Sequence, residues 1–234
     1  FNINFAKRYY KYFDNIFIVS NEARAQLIKK IPQLKSKCKV FKNVVSEAEL
    51  IKKSKEYNAF NDKYDGTRIL TVGRLTEQKG QDIIPNVLKR LIDEKINVKW
   101  YCVGEGNLEK KIALKIKENK LDKHLFLVGK KLNPYPYFNE CDLYVQPSRY
   151  EGFCITLTEA KIFKKPIIIT NFVGSEQIRN NETGIIIKYD EDELYEAIKT
   201  AIQNNELRNK LSNNLKQEII DNSSEVEKLY RLLE

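Results

Sequence analysis

Two carboxylates, Glu151 and Glu159, stand eight residues apart in the segment Gln146-Pro-Ser-Arg-Tyr-Glu-Gly-Phe-Cys-Ile-Thr-Leu-Thr-Glu-Ala160. An apolar run ends at Val145, a loop carries Glu151-Gly152-Phe153, and a helical pattern then runs to Glu159. Eight helical residues rise about 12 Å and turn by about 80° beyond whole turns, so both acids can border one groove. The helix start between them offers free amides and the positive end of a dipole to an anion. Gly152 lets the backbone approach a ligand closely. Carboxylate, anion-binding turn, carboxylate matches the order sugar, diphosphate, ribose in a nucleotide-sugar. Spacing alone leaves a second reading open, two exposed glutamates.

Cations supply the complementary chemistry. In Leu70-Thr-Val-Gly-Arg-Leu-Thr-Glu-Gln-Lys-Gly80 an apolar strand turns at Gly73 and places Arg74 and Lys79 beyond its carboxyl end. An Arg fork and a Lys point charge around one loop suit a diphosphate. Taken in isolation, two ordinary loop cations are the favoured reading. The turn Cys102-Val-Gly-Glu-Gly106 resembles the opening of a dinucleotide fingerprint. Position 109 is Glu rather than the third glycine, and NAD binding is rejected. His124, the single histidine, precedes a strand and is read as a surface residue. Cys38, Cys102, Cys141 and Cys154 lack paired CxxC spacing, so they are expected to be reduced thiols, and no metal site is expected.

These residues need elements to hold them. Short apolar runs, several without alternation, predict strands at 15–19, 38–41, 68–72, 98–103, 125–128, 143–145, 166–170 and 184–187. Helical stretches are predicted at 82–94, 108–119, 155–163, 191–203 and 206–222. Runs covered on both faces and strand-helix repetition imply an α/β fold with a doubly wound parallel sheet. The expected divisions are a helix–strand–helix–strand unit at 1–50, a polar linker at 51–66, the main domain at 67–222 and a terminal helix at 223–234. The strand at 15–19 has no obvious partner within the chain.

The chain has 234 residues with a net charge of +9, and its mean hydropathy is −0.52. No apolar run approaches the roughly 20 residues of a membrane-spanning helix. Residues 1–60 hold 13 Lys and Arg against 5 Asp and Glu, whereas the remainder holds 28 against 27. The excess is concentrated between Arg24 and Lys55. It is read either as a solvated lysine-rich face or as contact with an anionic surface such as phospholipid. No RNA-binding signature or zinc finger accompanies it, and no nucleic-acid partner is expected. A chain that starts at Phe1 and contains no methionine is expected to be a piece of a longer protein.

The ordered set Val72-Gly-Arg-Leu75, Lys79-Gly80, Leu127-Val-Gly129, Asp142-Leu-Tyr-Val-Gln-Pro-Ser148, Glu151 with Glu159, and Lys165-Pro-Ile-Ile168 carries a resemblance. It resembles the C-terminal, donor-binding half of retaining glycosyltransferases of two-Rossmann-domain (GT-B) architecture, family 4 type, also called glycosyl transferases group 1. The resemblance implies transfer of a sugar from a nucleotide-sugar, expected to be UDP-linked, to a glycan or lipid-linked acceptor in surface polysaccharide synthesis. It implies that Arg74 and Lys79 bind the diphosphate and stabilise the departing nucleotide. Glu151 would contact the sugar hydroxyls, Glu159 the ribose, and Gly73, Gly152, Phe153 and Cys154 would line the donor. Gly129 and Lys130 would lie near the base. No cofactor or metal is implied. Cys154 stands where glycine is frequent, which implies a differently shaped sugar pocket. Residues 1–50 would be a remnant of the acceptor domain, so the piece alone is expected to bind nucleotide and transfer no sugar. The implied location is cytoplasmic, at the inner face of the plasma membrane. A non-catalytic nucleotide- or polyanion-binding module is the competing reading.

Overall fold

Ile69, Leu143, Val145 and Ile168 alternate along their strands with Leu70, Tyr144, Ile167 and Ile169, and both sets are fully buried. That is the sequence consequence of a sheet covered on both faces. The computed structural model describes residues 3–218 and 223–231 of the chain. It opens with α1 (Ile3–Tyr9), β1 (Ile16–Ile18), α2 (Asn21–Lys30) and β2 (Cys38–Val40). The strand expected to lack a partner finds one here. β1 pairs in parallel with β2, Ile16 opposite Cys38, and Ala6, Leu27, Ile31, Leu34 and Cys38 close a small core around them.

After α3 (Glu47–Lys53) comes the main domain: β3 (Thr67–Val72), α4 (Ile84–Asp93), β4 (Val98–Val103), α5 (Glu109–Glu118), β5 (Leu125–Gly129), α6 (Tyr135–Glu140), β6 (Leu143–Gln146), α7 (Ile155–Ile162), β7 (Ile167–Thr170), β8 (Ile185–Ile187), α8 (Glu191–Gln203) and α9 (Asn205–Lys216). Its six strands are all parallel in the order β5-β4-β3-β6-β7-β8. α4, α5 and α8 cover one face, burying Leu88, Leu91, Ile112 and Ile198. α3, α6, α7 and α9 cover the other through Leu50, Phe138, Leu157 and Leu215. The doubly wound α/β class expected from the sequence is therefore present. Strand order reverses between β3 and β6, and ligands of such sheets bind at that point, outside the carboxyl ends of the strands.

Two helices escape the periodicity reading. α6 is short and starts among Pro134 and Pro136, which mask a helical pattern although proline suits a first turn. α3 crosses the boundary drawn at residue 50, capped by Ser46, whose side chain accepts from the Glu49 amide. The segment beyond it, expected as linker, lies along the domain. Phe60 packs on Tyr101 and Tyr137, with ring centroids 4.4 and 5.5 Å away, and Glu140 accepts from the Ala59 and Phe60 amides. The helix predicted for 206–222 is described as far as α9 extends, and residues 219–222 lie outside the described residues. α10 (Ser223–Tyr230) falls within the helix expected at 223–234, whose last three residues also lie outside them. Buried Glu225 on α10 accepts from the Lys42 amide at 3.0 Å, fastening α10 to the chain just after β2.

Candidate functional site

The reversal point brings the two candidate segments together. The loop after β3 carries Arg74 and Lys79, and the loop after β6 carries Pro147 to Glu151. They interlock at Gly80, whose φ of 71° places a hypothetical Cβ 1.8 Å from the Pro147 carbonyl oxygen. Only glycine fits there. Gly104 and Gly106 pack the loop after β4 equally closely, their Cβ positions falling 2.0 and 2.3 Å from the carbonyl oxygens of Gly73 and Leu75. The glycines of the rejected dinucleotide fingerprint thus serve contact between neighbouring loops.

Glu151 and Lys79 form a salt bridge of 2.6 Å, with side chains only 5% and 14% exposed. Glu151 Oε1 also accepts from Ser148 Oγ at 2.6 Å. The exposed-glutamate reading fails for both acids, because Glu151 and Glu159 are each buried. Glu159, inside α7, accepts one hydrogen bond from Tyr135 Oη at 3.2 Å. Burial without a cationic partner pushes its carboxyl up to about 7, only partly opposed by Tyr135. Arg74 behaves differently from Lys79: its side chain is exposed and makes no ion pair among the described residues. It is the cation of the loop left available to a ligand.

α7 begins without a side-chain cap at Cys154, and the Leu157 amide of its first turn donates to the Cys154 carbonyl at 3.1 Å. The amides of Ile155 and Thr156 are the ones it offers to an anion. A Cβ on Gly152 would meet nothing within 4 Å, so the loop before α7 faces open space. Phe153 lines a cleft of about 160 Å³ that also touches Ser20, Asn21 and Lys42 of the N-terminal segment and Glu176 and Gln177 of the main domain. Burial raises the Cys154 thiol to about 11, and its Sγ lies 3.3 Å from Thr156 Oγ1, a packing role rather than a nucleophile's.

Gly129 ends β5 at a φ of 76° in open space, and Gly104 donates to its carbonyl at 2.9 Å. Neighbouring Lys130 is exposed and lies 3.6 Å from Glu105. His124, expected at the surface, is half-buried before β5 with its Nδ1 3.1 Å from the Val98 carbonyl, at the amino ends of the strands and away from this site. Among the described residues no group of three or more His, Cys, Asp and Glu side chains is placed to hold a metal ion.

Three polar neighbours escaped the sequence reading: Gln146, Ser148 and Tyr135. The first two are wholly buried polar residues at the end of an apolar strand, which is the signal that could have marked them. Tyr135 comes from α6, invisible to the periodicity, and its link to Glu159 spans 24 residues.

The family model described as glycosyl transferases group 1 matches residues 52–218. An uncharacterized glycosyltransferase of Methanocaldococcus jannaschii is 31% identical over 191 residues, covering 79% of this chain and 46% of that protein. The N-acetylgalactosamine-N,N'-diacetylbacillosaminyl-diphospho-undecaprenol 4-alpha-N-acetylgalactosaminyltransferase of Campylobacter jejuni is 28% identical over 183 residues, 77% of this chain and 48% of that enzyme. The chain spans about half the length of these curated relatives. A mutant of TarM from S. aureus, solved with Fondaparinux, alpha-GlcNAc-glycerol and UDP, superposes with a TM-score of 0.82 at 21% identity. That match covers 97% of this chain and 45% of TarM, and it establishes a shared fold.

Proposed function

This chain belongs to the glycosyl transferases group 1 family, and we propose that it forms the donor-binding half of an enzyme moving a sugar from a nucleotide-sugar to a glycan or lipid-linked acceptor. One observation carries the reading: an ion-paired buried carboxylate, an uncapped helix start and a second buried carboxylate stand in that order at the reversal point of the sheet. In this reading the diphosphate sits on the opening amides of α7, with Arg74 and Lys79 beside it. Glu151 accepts from sugar hydroxyls, and Glu159 accepts from the ribose hydroxyls. Gly152, Phe153 and Cys154 line the sugar, Gly73 admits the diphosphate, and Gly129 and Lys130 border the base.

In the reaction the acceptor oxygen bonds to the anomeric carbon as the bond to the diphosphate oxygen breaks, and the acceptor's proton passes to the departing diphosphate. Attack from the side of the leaving group gives retention. The demand is for stabilised charge on the leaving group, which preorganised cations and helix amides meet. No metal is called on. UDP is the nucleotide we favour, supported by the UDP-bound TarM relative. The Campylobacter relative's name, a transferase acting on a diphospho-undecaprenol substrate, supports a lipid-linked acceptor, and a relative named as a capsular polysaccharide biosynthesis glycosyltransferase supports surface polysaccharide assembly. We place the whole enzyme at the cytoplasmic face of the plasma membrane, with the basic 24–55 region against anionic lipid.

Thermal shift against UDP, GDP, ADP and their sugars tests the reading, because a ligand bound to the native state raises Tm. A selective shift by one nucleotide is expected, lost in Glu159→Ala, with no sugar transfer by this polypeptide alone. Equal affinity in wild type and Glu159→Ala would remove Glu159 from its role. Salt-sensitive binding to anionic vesicles or DNA, with no nucleotide response, would favour the polyanion-binding module instead.

A further inference from the structure

Behind Glu151 lies a line of side chains that nothing in the reaction above uses. Tyr144, Gln146 and Ser148 are each wholly buried. Tyr144 Oη lies 2.6 Å from Gln146 Oε1, Gln146 Nε2 lies 2.7 Å from Ser148 Oγ, and Ser148 Oγ lies 2.6 Å from Glu151 Oε1. The strand pleat aligns the first two: Tyr144 and Gln146 are two residues apart on β6, on the face covered by α7.

Proton bookkeeping gives this line one direction. Ser148 has a single hydroxyl proton, and an ionised Glu151 can only accept, so that proton goes to Glu151. Ser148 must then accept from the amide of Gln146, which turns Gln146 Oε1 toward the Tyr144 hydroxyl. Reversing the line would require Glu151 to be protonated, against a lysine 2.6 Å away. The two oxygens of Glu151 are consequently unequal. Oε1 is saturated by Lys79 and Ser148, while among the described residues Oε2 has only a 3.5 Å contact with Gln78 Nε2.

We propose that Tyr144, Gln146 and Ser148 are positioning residues, a buried relay that commits Glu151 Oε1 to the protein and holds Oε2 free for a donor-sugar hydroxyl. The assignment rests on the donor-binding reading given above. It goes further by separating the tasks of the two carboxylate oxygens and by locating their control in residues that never touch the donor.

Gln146→Met keeps the side chain's length and removes its polar atoms. Calorimetric titration of wild type and variant with UDP and with UDP-glucose reads the sugar-specific effect. UDP affinity should stay within about twofold, whereas UDP-glucose should bind about tenfold more weakly, one charge-assisted hydrogen bond's worth. Weakening both ligands equally, or neither, overturns the relay. A ligand-free measurement stands beside it: urea unfolding of Gln146→Met, Glu151→Ala and the double variant. Gln146 and Glu151 are joined through Ser148, so their unfolding constants should be coupled at least fivefold; additivity within twofold overturns the proposal. Should Gln146→Met fail to fold, Ser148→Ala takes its place in both measurements, its cycle with Glu151→Ala then reporting the last link directly. Wild type that binds no UDP refutes the donor reading, and wild type that binds UDP and UDP-glucose alike leaves the sugar arm silent. In either case the unfolding cycle alone decides the relay.

Discussion

Lys79 and Arg74 leave the same loop with opposite circumstances, and their substitutions should separate accordingly. Lys79→Met strands the buried Glu151 carboxylate and should cost about 3 kcal/mol in denaturant unfolding. Arg74→Ala removes an exposed group without an ion pair and should stay within about 0.5 kcal/mol of wild type. Both should weaken nucleoside diphosphate binding, and a stable Arg74→Ala with undiminished affinity would exclude Arg74 from the phosphate site. Glu159 makes a pH prediction. Its carboxyl titrates near 7 in the native protein and near the ordinary carboxylate value when unfolded, so the native state binds the extra proton in between. Stability conferred by that proton is complete at low pH and is lost as pH rises through about 7, reaching a cost of about 3 kcal/mol. Glu159→Gln should therefore raise Tm relative to wild type at pH 8 and leave it nearly unchanged at pH 4.5. A difference independent of pH would contradict this. Nucleotide affinity should also rise with pH through the same window, because only the ionised carboxylate accepts from both ribose hydroxyls.

At the scale of elements, the loops at the carboxyl ends of β3, β4 and β6 position the site by fitting into one another. Gly80→Ala should destabilise by at least about 2 kcal/mol, since its Cβ would overlap the Pro147 carbonyl in a left-handed turn. Gly152→Ala should fold with nearly wild-type Tm, yet weaken donor binding where its methyl enters open space. Unfolding midpoints and nucleotide affinity for the pair check both statements. The central sheet was legible because β3, β4, β6 and β7 are largely buried on both faces and read as mostly apolar runs without alternation. Glu151, Glu159, Arg74 and Lys79 were legible as chemistry, but their surroundings were not. That Lys79 pairs with Glu151 depends on loops 72 residues apart, and no local pattern records it. α6 was hidden by its prolines, and with it Tyr135.

For the whole molecule, the N-terminal unit is a two-stranded sheet with its own small core, held in part from α10. Glu225 is buried there, accepting from the Lys42 amide and from Lys228 Nζ at 2.6 Å. Glu225→Ala should leave the main domain's melting unchanged and speed proteolysis within residues 1–46, read by mass spectrometry of early fragments. Equal cleavage rates in the two proteins would show that α10 is not what secures the unit.

That fastening joins residues 183 positions apart in the chain. A polypeptide leaving the ribosome presents β1 and β2 well before the carboxylate that clasps them. The opening unit must therefore wait through synthesis of almost the entire main domain before this tie can close. Translation order sets a delay that a refolding chain, with both ends present at once, does not experience.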